Sequence, residues 1–185
     1  MPEVPPNPSR RAAPFVAQSG HRTSAARDQN LGIRIARDGT WFYHGSPIAR
    51  KSLVRLFSSV LERDEAGGFW LVTPAERGRI EVEDAPFLAV EFARAGAGRA
   101  QVLRLRTNID EWVEAGPDHP IRVRAGAVPG EPRPYVLVRA GLEARIVRSV
   151  FYELVELGVE ERVHGAHLYG VWSNDAFFAL GEGVG

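Results

Sequence analysis

Two arginines occupy matching places in this chain, and arginine is the side chain best shaped to grip a carboxylate or phosphate through two parallel hydrogen bonds. Arg50 closes the triplet Ile48-Ala49-Arg50, and Arg148 closes Ile146-Val147-Arg148. Each stands just before apolar residues at helical spacing, Leu53, Leu56 and Phe57 in the first case and Phe151, Leu154 and Val155 in the second. Backbone N–H groups and the helix dipole favour an anion at such a start. The pair is therefore either one anion site or two structural clamps, each held by an Asp or Glu. Glu83 and Asp84 are adjacent carboxylates, a combination used in acid/base work and in metal binding. With His119 they define an enzyme alternative, although a loop cap or an Arg partner accounts for the same residues. His164 and His167 have a spacing that binds metal on a helix, but Gly165 between them and a strand after them break that geometry. The expectation is no metal and no cofactor.

Aromatic and cationic residues offer other chemistry. Trp41, Trp70, Trp112 and Trp172 are able to stack on planar ligands, whereas aromatics inside alternating strands are mostly core. Trp172, next to the turn-like Ser173-Asn174-Asp175, is the best exception. Arg104, Arg106, Arg122, Arg124 and Arg139 recur along strand-like segments and suggest a basic sheet face for nucleic acid. The formal net charge is zero, which favours a solvated face offset by Glu. Lys51 is the only lysine among 23 cationic residues; a GC-rich genome encodes such a bias without any functional cause. No nucleophile elbow, Walker loop or dinucleotide fingerprint is present.

These residues must be positioned by short elements. Ile33 and Ile35 begin a strand, Asp38-Gly39 turns it, and Trp41-Phe42-Tyr43 returns. Ser46-Pro47 is expected to cap a helix whose apolar face is Leu53, Leu56, Phe57, Val60 and Leu61. Phe69–Val72 reads as a buried strand. Alternation continues through Ile80 and Val82, then Leu88, Val90 and Phe92, then Leu103 and Leu105, then Ile121 and Val123. A strand at Tyr135–Val138, a loop at 141–145 and a helix at Ser149–Leu157 follow. Strands at Leu168–Trp172 and Phe177–Leu180 close the chain. The outcome is an α+β fold with mostly antiparallel sheets, two small subdomains and a duplicated strand–helix–strand motif.

Length and composition are those of a globular protein with one domain or two small ones: 185 residues, 44% hydrophobic and 25% charged. Cysteine is absent, which removes disulfides and thiolate chemistry and agrees with a reducing cytoplasm. No apolar run is long enough to span a bilayer, and the start Met-Pro-Glu-Val-Pro-Pro does not read as a secretory signal. A cytoplasmic location without membrane contact is expected. Residues 1–30, rich in Pro, Ser and Arg, read as a mobile arm. Residues 31–93 form the N-terminal subdomain, and 94–185 the C-terminal one.

Several blocks carry a resemblance. They include Ile35-Ala36-Arg37-Asp38-Gly39-Thr40-Trp41, Gly45-Ser46-Pro47-Ile48, and Leu53 to Leu61. Val82-Glu83-Asp84-Ala85-Pro86-Phe87, Arg106-Thr107-Asn108, Pro134-Tyr135-Val136 and Gly141-Leu142-Glu143-Ala144 continue the series. Together, from about Ile33 to Leu180, they resemble the bacterial domain-of-unknown-function family 1285. The resemblance implies a two-part α+β fold with duplicated motifs, its C-terminal half similar to a pleckstrin-homology-like roll. It implies no established activity; a regulatory or signalling role with a ligand between the halves is the expectation. The ligand would be a small anion or a protein partner, in a junction cleft near Trp41, Arg50, Asp84, Arg148 and Trp172, with no catalytic residue.

Overall fold

The computed structural model describes residues 29–126 and 131–183. Residues 1–28 of the expected arm lie outside the described residues, as do residues 127–130.

Alternating apolar residues build three sheets. The first contains β1 (Gln29–Ile35), β2 (Trp41–Tyr43), β3 (Ser46–Pro47), β4 (Leu61–Arg63), β5 (Phe69–Val72) and β6 (Arg77–Val82), in the order β3-β2-β1-β6-β5-β4. The second contains β7 (Phe87–Ala95), β8 (Val102–Thr107), β9 (Trp112–Glu114), β10 (Ile121–Ala125), β11 (Pro132–Arg139) and β12 (Leu142–Ile146), in the order β10-β11-β12-β7-β8-β9. The third is the meander β13 (Val159–Val163), β14 (Ala166–Ser173) and β15 (Ala176–Glu182). Helix α1 (Lys51–Ser59) joins β3 to β4, and α2 (Arg148–Glu156) joins β12 to β13. Among the described residues, ten of the twelve strand pairs are antiparallel; β1 with β6 and β7 with β12 are parallel. The architecture is thus mostly sheet with two helices, in two parts.

The two six-stranded sheets share one strand order. Each is a pair of three-stranded meanders joined through a parallel contact between its first and sixth strands. Even the exit from the sixth strand matches. Glu83 N–H donates to the Ile35 carbonyl at 3.0 Å, and Val147 N–H to the Ala89 carbonyl at 3.1 Å. The triplets Ile48–Arg50 and Ile146–Arg148 do not correspond in this topology. The first leads into a helix between the third and fourth strands, the second into a helix after the sixth. Arg148 is the first residue of α2, whereas Arg50 is the residue before α1.

Local corrections have local causes. Ser46-Pro47 caps no helix. His44 and Gly45 both have positive φ, 45° and 82°, which makes a tight hairpin that pairs Ser46 with Tyr43 and Pro47 with Phe42. Helix α1 stops at Ser59, so Leu61 packs from β4, and Leu56 is 60% exposed rather than part of the buried face. Residues 142–146 are not a loop: Ala140 and Gly141 turn the chain, and β12 pairs with both β11 and β7.

One apolar core runs through both parts, from Ile33, Ile35 and Trp41 to Phe87, Leu103, Val136, Leu142 and Leu154. Polar contacts tie α1 to the second part. Arg55 reaches the Ile109 carbonyl at 3.1 Å and the Asp110 carboxylate, and Lys51 Nζ lies 2.8 Å from the same carboxylate. Arg139 donates to the Ser58 carbonyl at 2.6 Å.

Candidate functional site: an arginine-lined cleft

The β1–β2 turn of the first part faces the strand β12 and the start of α2 in the second. Between them opens a cavity of about 800 Å³. Arg37 contributes from the turn, Arg145 from β12, Arg148 from α2 and Arg133 from β11; Pro132, Pro134, Phe151 and Tyr152 supply apolar wall, and Glu131 is the acidic residue on the lining. The register of β12 explains the geometry. Leu142, Ala144 and Ile146 point into the core, which sends Arg145 out on the other face. Helix α2 has Val147 at its N-cap, no side-chain cap and no acidic residue in its first turn, so its dipole adds to the positive field.

Arg145 links the two parts. It donates to the Arg37 carbonyl at 3.0 Å, and its Nε lies 3.6 Å from Asp84 Oδ2. Asp84 also accepts a 2.7 Å hydrogen bond from the buried Tyr135 hydroxyl. Arg148 donates through Nε to the Tyr152 hydroxyl at 2.6 Å, leaving its two terminal nitrogens to face elsewhere. Among the described residues, Arg37, Arg133 and Arg148 make no ion pair with a carboxylate.

Burial of Tyr135, then its hydrogen bond to Asp84, then the Asp84 charge raise the phenol above its ordinary value near 10. A raised folded-state value favours the neutral phenol in the fold. The stabilisation is complete below the unfolded value and is lost as pH rises through the folded one. Urea midpoints measured from neutral pH upward should therefore fall at alkaline pH, and Tyr135→Phe should flatten that slope. An unchanged slope in Tyr135→Phe would reject the assignment.

The residues expected at the site part company. Arg148 lines the cleft, and Asp84 stands directly behind it through Arg145 and Tyr135. Asp84 and Arg148 hold equivalent places, each two residues past the last parallel-paired residue of a sixth strand, Val82 and Ile146. Trp41 is 1% exposed and stacks on Phe57 at 6.3 Å, inside the core. Trp172 sits in β14 against Phe177, with the Arg99 guanidinium 4.5 Å from its ring centroid. Arg50 is exposed beside α1 and does not line this cleft. Arg37, Arg133, Arg145 and Tyr152 were not singled out from sequence. The alternation Leu142-Glu143-Ala144-Arg145-Ile146, expected from sequence to be a loop, is the signal that places Arg145 on the outward face of a strand.

Other candidate chemistry is engaged differently. Of the five strand arginines, Arg104 pairs with Glu114, Arg106 with Glu91 and Asp110, Arg124 with Glu143, and Arg139 with Glu111. Among the described residues, seven arginines lie over aromatic rings at 4.1–5.4 Å, Arg77 over Trp70 and Arg34 over Phe42 among them. Part of the arginine content thus covers aromatic rings, buried Trp70, Phe87 and Tyr135 among them, a task its planar group performs better than lysine. Glu83 is held by Arg34 and by the Arg37 N–H. His119 bonds the Leu137 carbonyl at 3.0 Å and lines a separate cavity of about 630 Å³ with Trp112, Glu114 and Asp118. Among the described residues no group of three or more His, Cys, Asp or Glu is placed to hold a metal. No helix among them is long and apolar enough to cross a membrane.

Two sheets of one strand order, with an arginine cleft between their parts, define a two-part α+β protein. The chain belongs to the DUF1285 family. Residues 21–85 match its N-terminal domain, described as a domain of unknown function, and residues 86–180 match its C-terminal domain, described as a protein of unknown function. The chain is similar to a crystal structure of a DUF1285 family protein from Silicibacter pomeroyi DSS-3, with 49% identity and a TM-score of 0.77 over 84% of this chain and 82% of that one. It is also similar to a DUF1285 family protein from Shewanella baltica OS155, with 26% identity and a TM-score of 0.54 over 69% of this chain and 92% of that one. No curated protein matches it.

Proposed function

We propose that this protein is a regulatory binding module that holds a small anion in the cleft between its two parts. The convergence of Arg37, Arg133, Arg145 and Arg148 on one cavity carries this reading. The volume, about 800 Å³, falls in the range of roughly 300–1,000 Å³ typical of small-molecule sites. Binding is favoured over catalysis because Glu83, Asp84 and His119 are each engaged by structural partners and do not face one cavity. Nucleic acid is disfavoured because four of the five strand arginines are paired with carboxylates. The pleckstrin-like roll implied for the C-terminal half, a signalling role and a cytoplasmic setting belong to the same proposal.

A thermal-shift series with phosphate, citrate and common nucleotides tests it. A ligand that binds only the folded chain raises its melting temperature with concentration. Arg148→Lys keeps the charge and loses the fork, so the affinity for the best anion should fall about tenfold, the loss of one charged hydrogen bond. Arg50→Lys should leave affinity unchanged. Equal losses in both variants, or no shift with any anion, would overturn the proposal.

A further inference from the structure

We infer that the cleft takes a ligand with two negative charges on one headgroup joined to a flat apolar body, the chemistry of an aryl or nucleoside phosphomonoester. This rests on the anion-site proposal above and specifies its ligand.

The charge balance comes first. Arg145 has Asp84 as counter-charge, at 3.6 Å. Arg37, Arg133 and Arg148 meet no carboxylate within ion-pair reach among the described residues, and Glu131 is the acid on the lining. Three uncompensated guanidinium groups against one carboxylate leave a surplus of two positive charges. A singly charged ligand would leave half of that surplus standing. Arg148 is also oriented for a two-oxygen partner. Its Nε is committed to the Tyr152 hydroxyl at 2.6 Å, so its terminal nitrogens present the fork edge.

The body follows from the walls. Pro132, Pro134 and Phe151 line the cavity with Tyr152, which is half exposed although its ring sits 5.3 Å from the Arg148 guanidinium. A bare oxyanion would fill little of about 800 Å³. A ring attached to the headgroup would cover the Tyr152 face and the prolines, and stacking of that kind is selective for shape.

Calorimetric titrations with four probes decide this: phenyl phosphate, methyl phenyl phosphate, inorganic phosphate and phthalate. At pH 8 phenyl phosphate carries two charges and methyl phenyl phosphate one. Phenyl phosphate should bind at least about tenfold more tightly, and the advantage should shrink at pH 5, below a second pKa near 6. Tyr152→Ala removes both the ring and the hydroxyl that orients Arg148, so it should weaken phenyl phosphate several-fold more than it weakens inorganic phosphate. Equal affinity for the two esters would overturn the two-charge headgroup. Inorganic phosphate binding as tightly as phenyl phosphate would overturn the apolar body, and tighter phthalate would overturn the phosphomonoester. In these three cases the anion cleft itself stands. Failure of all four probes to bind would sink the inference and, with the nucleotide series also silent, the anion cleft too.

Discussion

Trp41→Ala should destabilise the protein by about 4 kcal/mol, the middle of the range for deleting a buried large aromatic. In a chain of this size that lowers the melting temperature by roughly 10 °C. The side chain is 1% exposed, stacks on Phe57 of α1, and belongs to the core shared by both parts. Its removal leaves a void under α1, and α1 also carries the Lys51 and Arg55 contacts to Asp110. Trp41→Phe should lose less than about 2 kcal/mol. It keeps a ring and removes the indole N–H, which is buried without a hydrogen-bond partner and so already stands at a penalty of about 1–3 kcal/mol. Guanidinium unfolding measures both losses. Neither variant should alter anion affinity in its folded fraction. A Trp41→Phe protein with normal stability and weakened ligand binding would return Trp41 to the site and overturn its assignment to the core.

What could be read from the sequence follows from the period of each signal. Strands that alternate over several residues, such as those around Ile33, Ile80, Leu103 and Ile121, fall where their pattern places them, because one face must be buried whatever the neighbouring strands are. The parallel contacts β1–β6 and β7–β12 were not legible, since nothing local in Val82 or Ile146 encodes a partner some fifty residues away. The same limit explains Ser46-Pro47. That pair carries a helix-start signature, but the left-handed turn at His44-Gly45 folds it back on Tyr43. The repeat was sought in side-chain type, Ile then Arg before a helix. The likeness that the topology displays lies in strand order.

The proposed cleft was partly legible for a related reason. Arg148 follows a strand and opens a helix, so its place is local and readable. Arg37, Arg133 and Arg145 reach the same cavity from a turn and two strands far apart in sequence, and only the folded sheets bring them together. Trp41 and Trp172 do not line this cavity, and an aromatic next to a turn carries the same sequence signal whether it caps a core or lines a pocket.

Asp84→Ala should move stability and ligand affinity in opposite directions. Asp84 accepts the Tyr135 hydroxyl at 2.7 Å and faces Arg145 Nε at 3.6 Å. Removing it leaves a buried phenol without its acceptor, about 1–3 kcal/mol, and takes the counter-charge from Arg145. The second loss is discounted because the Arg145 side chain is 32% exposed and water screens it. A total near 3 kcal/mol is expected, read as a lower urea midpoint at unchanged slope. Asp84→Asn retains an oxygen for Tyr135 and should lose only about 1 kcal/mol, the worth of an ordinary hydrogen bond. Both variants remove the negative charge behind the cleft and raise its positive surplus, so phenyl phosphate should bind several-fold more tightly to each. The sign of that change separates two roles for this carboxylate. A residue that touched the ligand as a hydrogen-bond acceptor or acted as a base would weaken binding when removed. A counter-charge that sets the field around Arg145 strengthens it, and weaker binding in Asp84→Asn would place Asp84 in the ligand's first contacts instead.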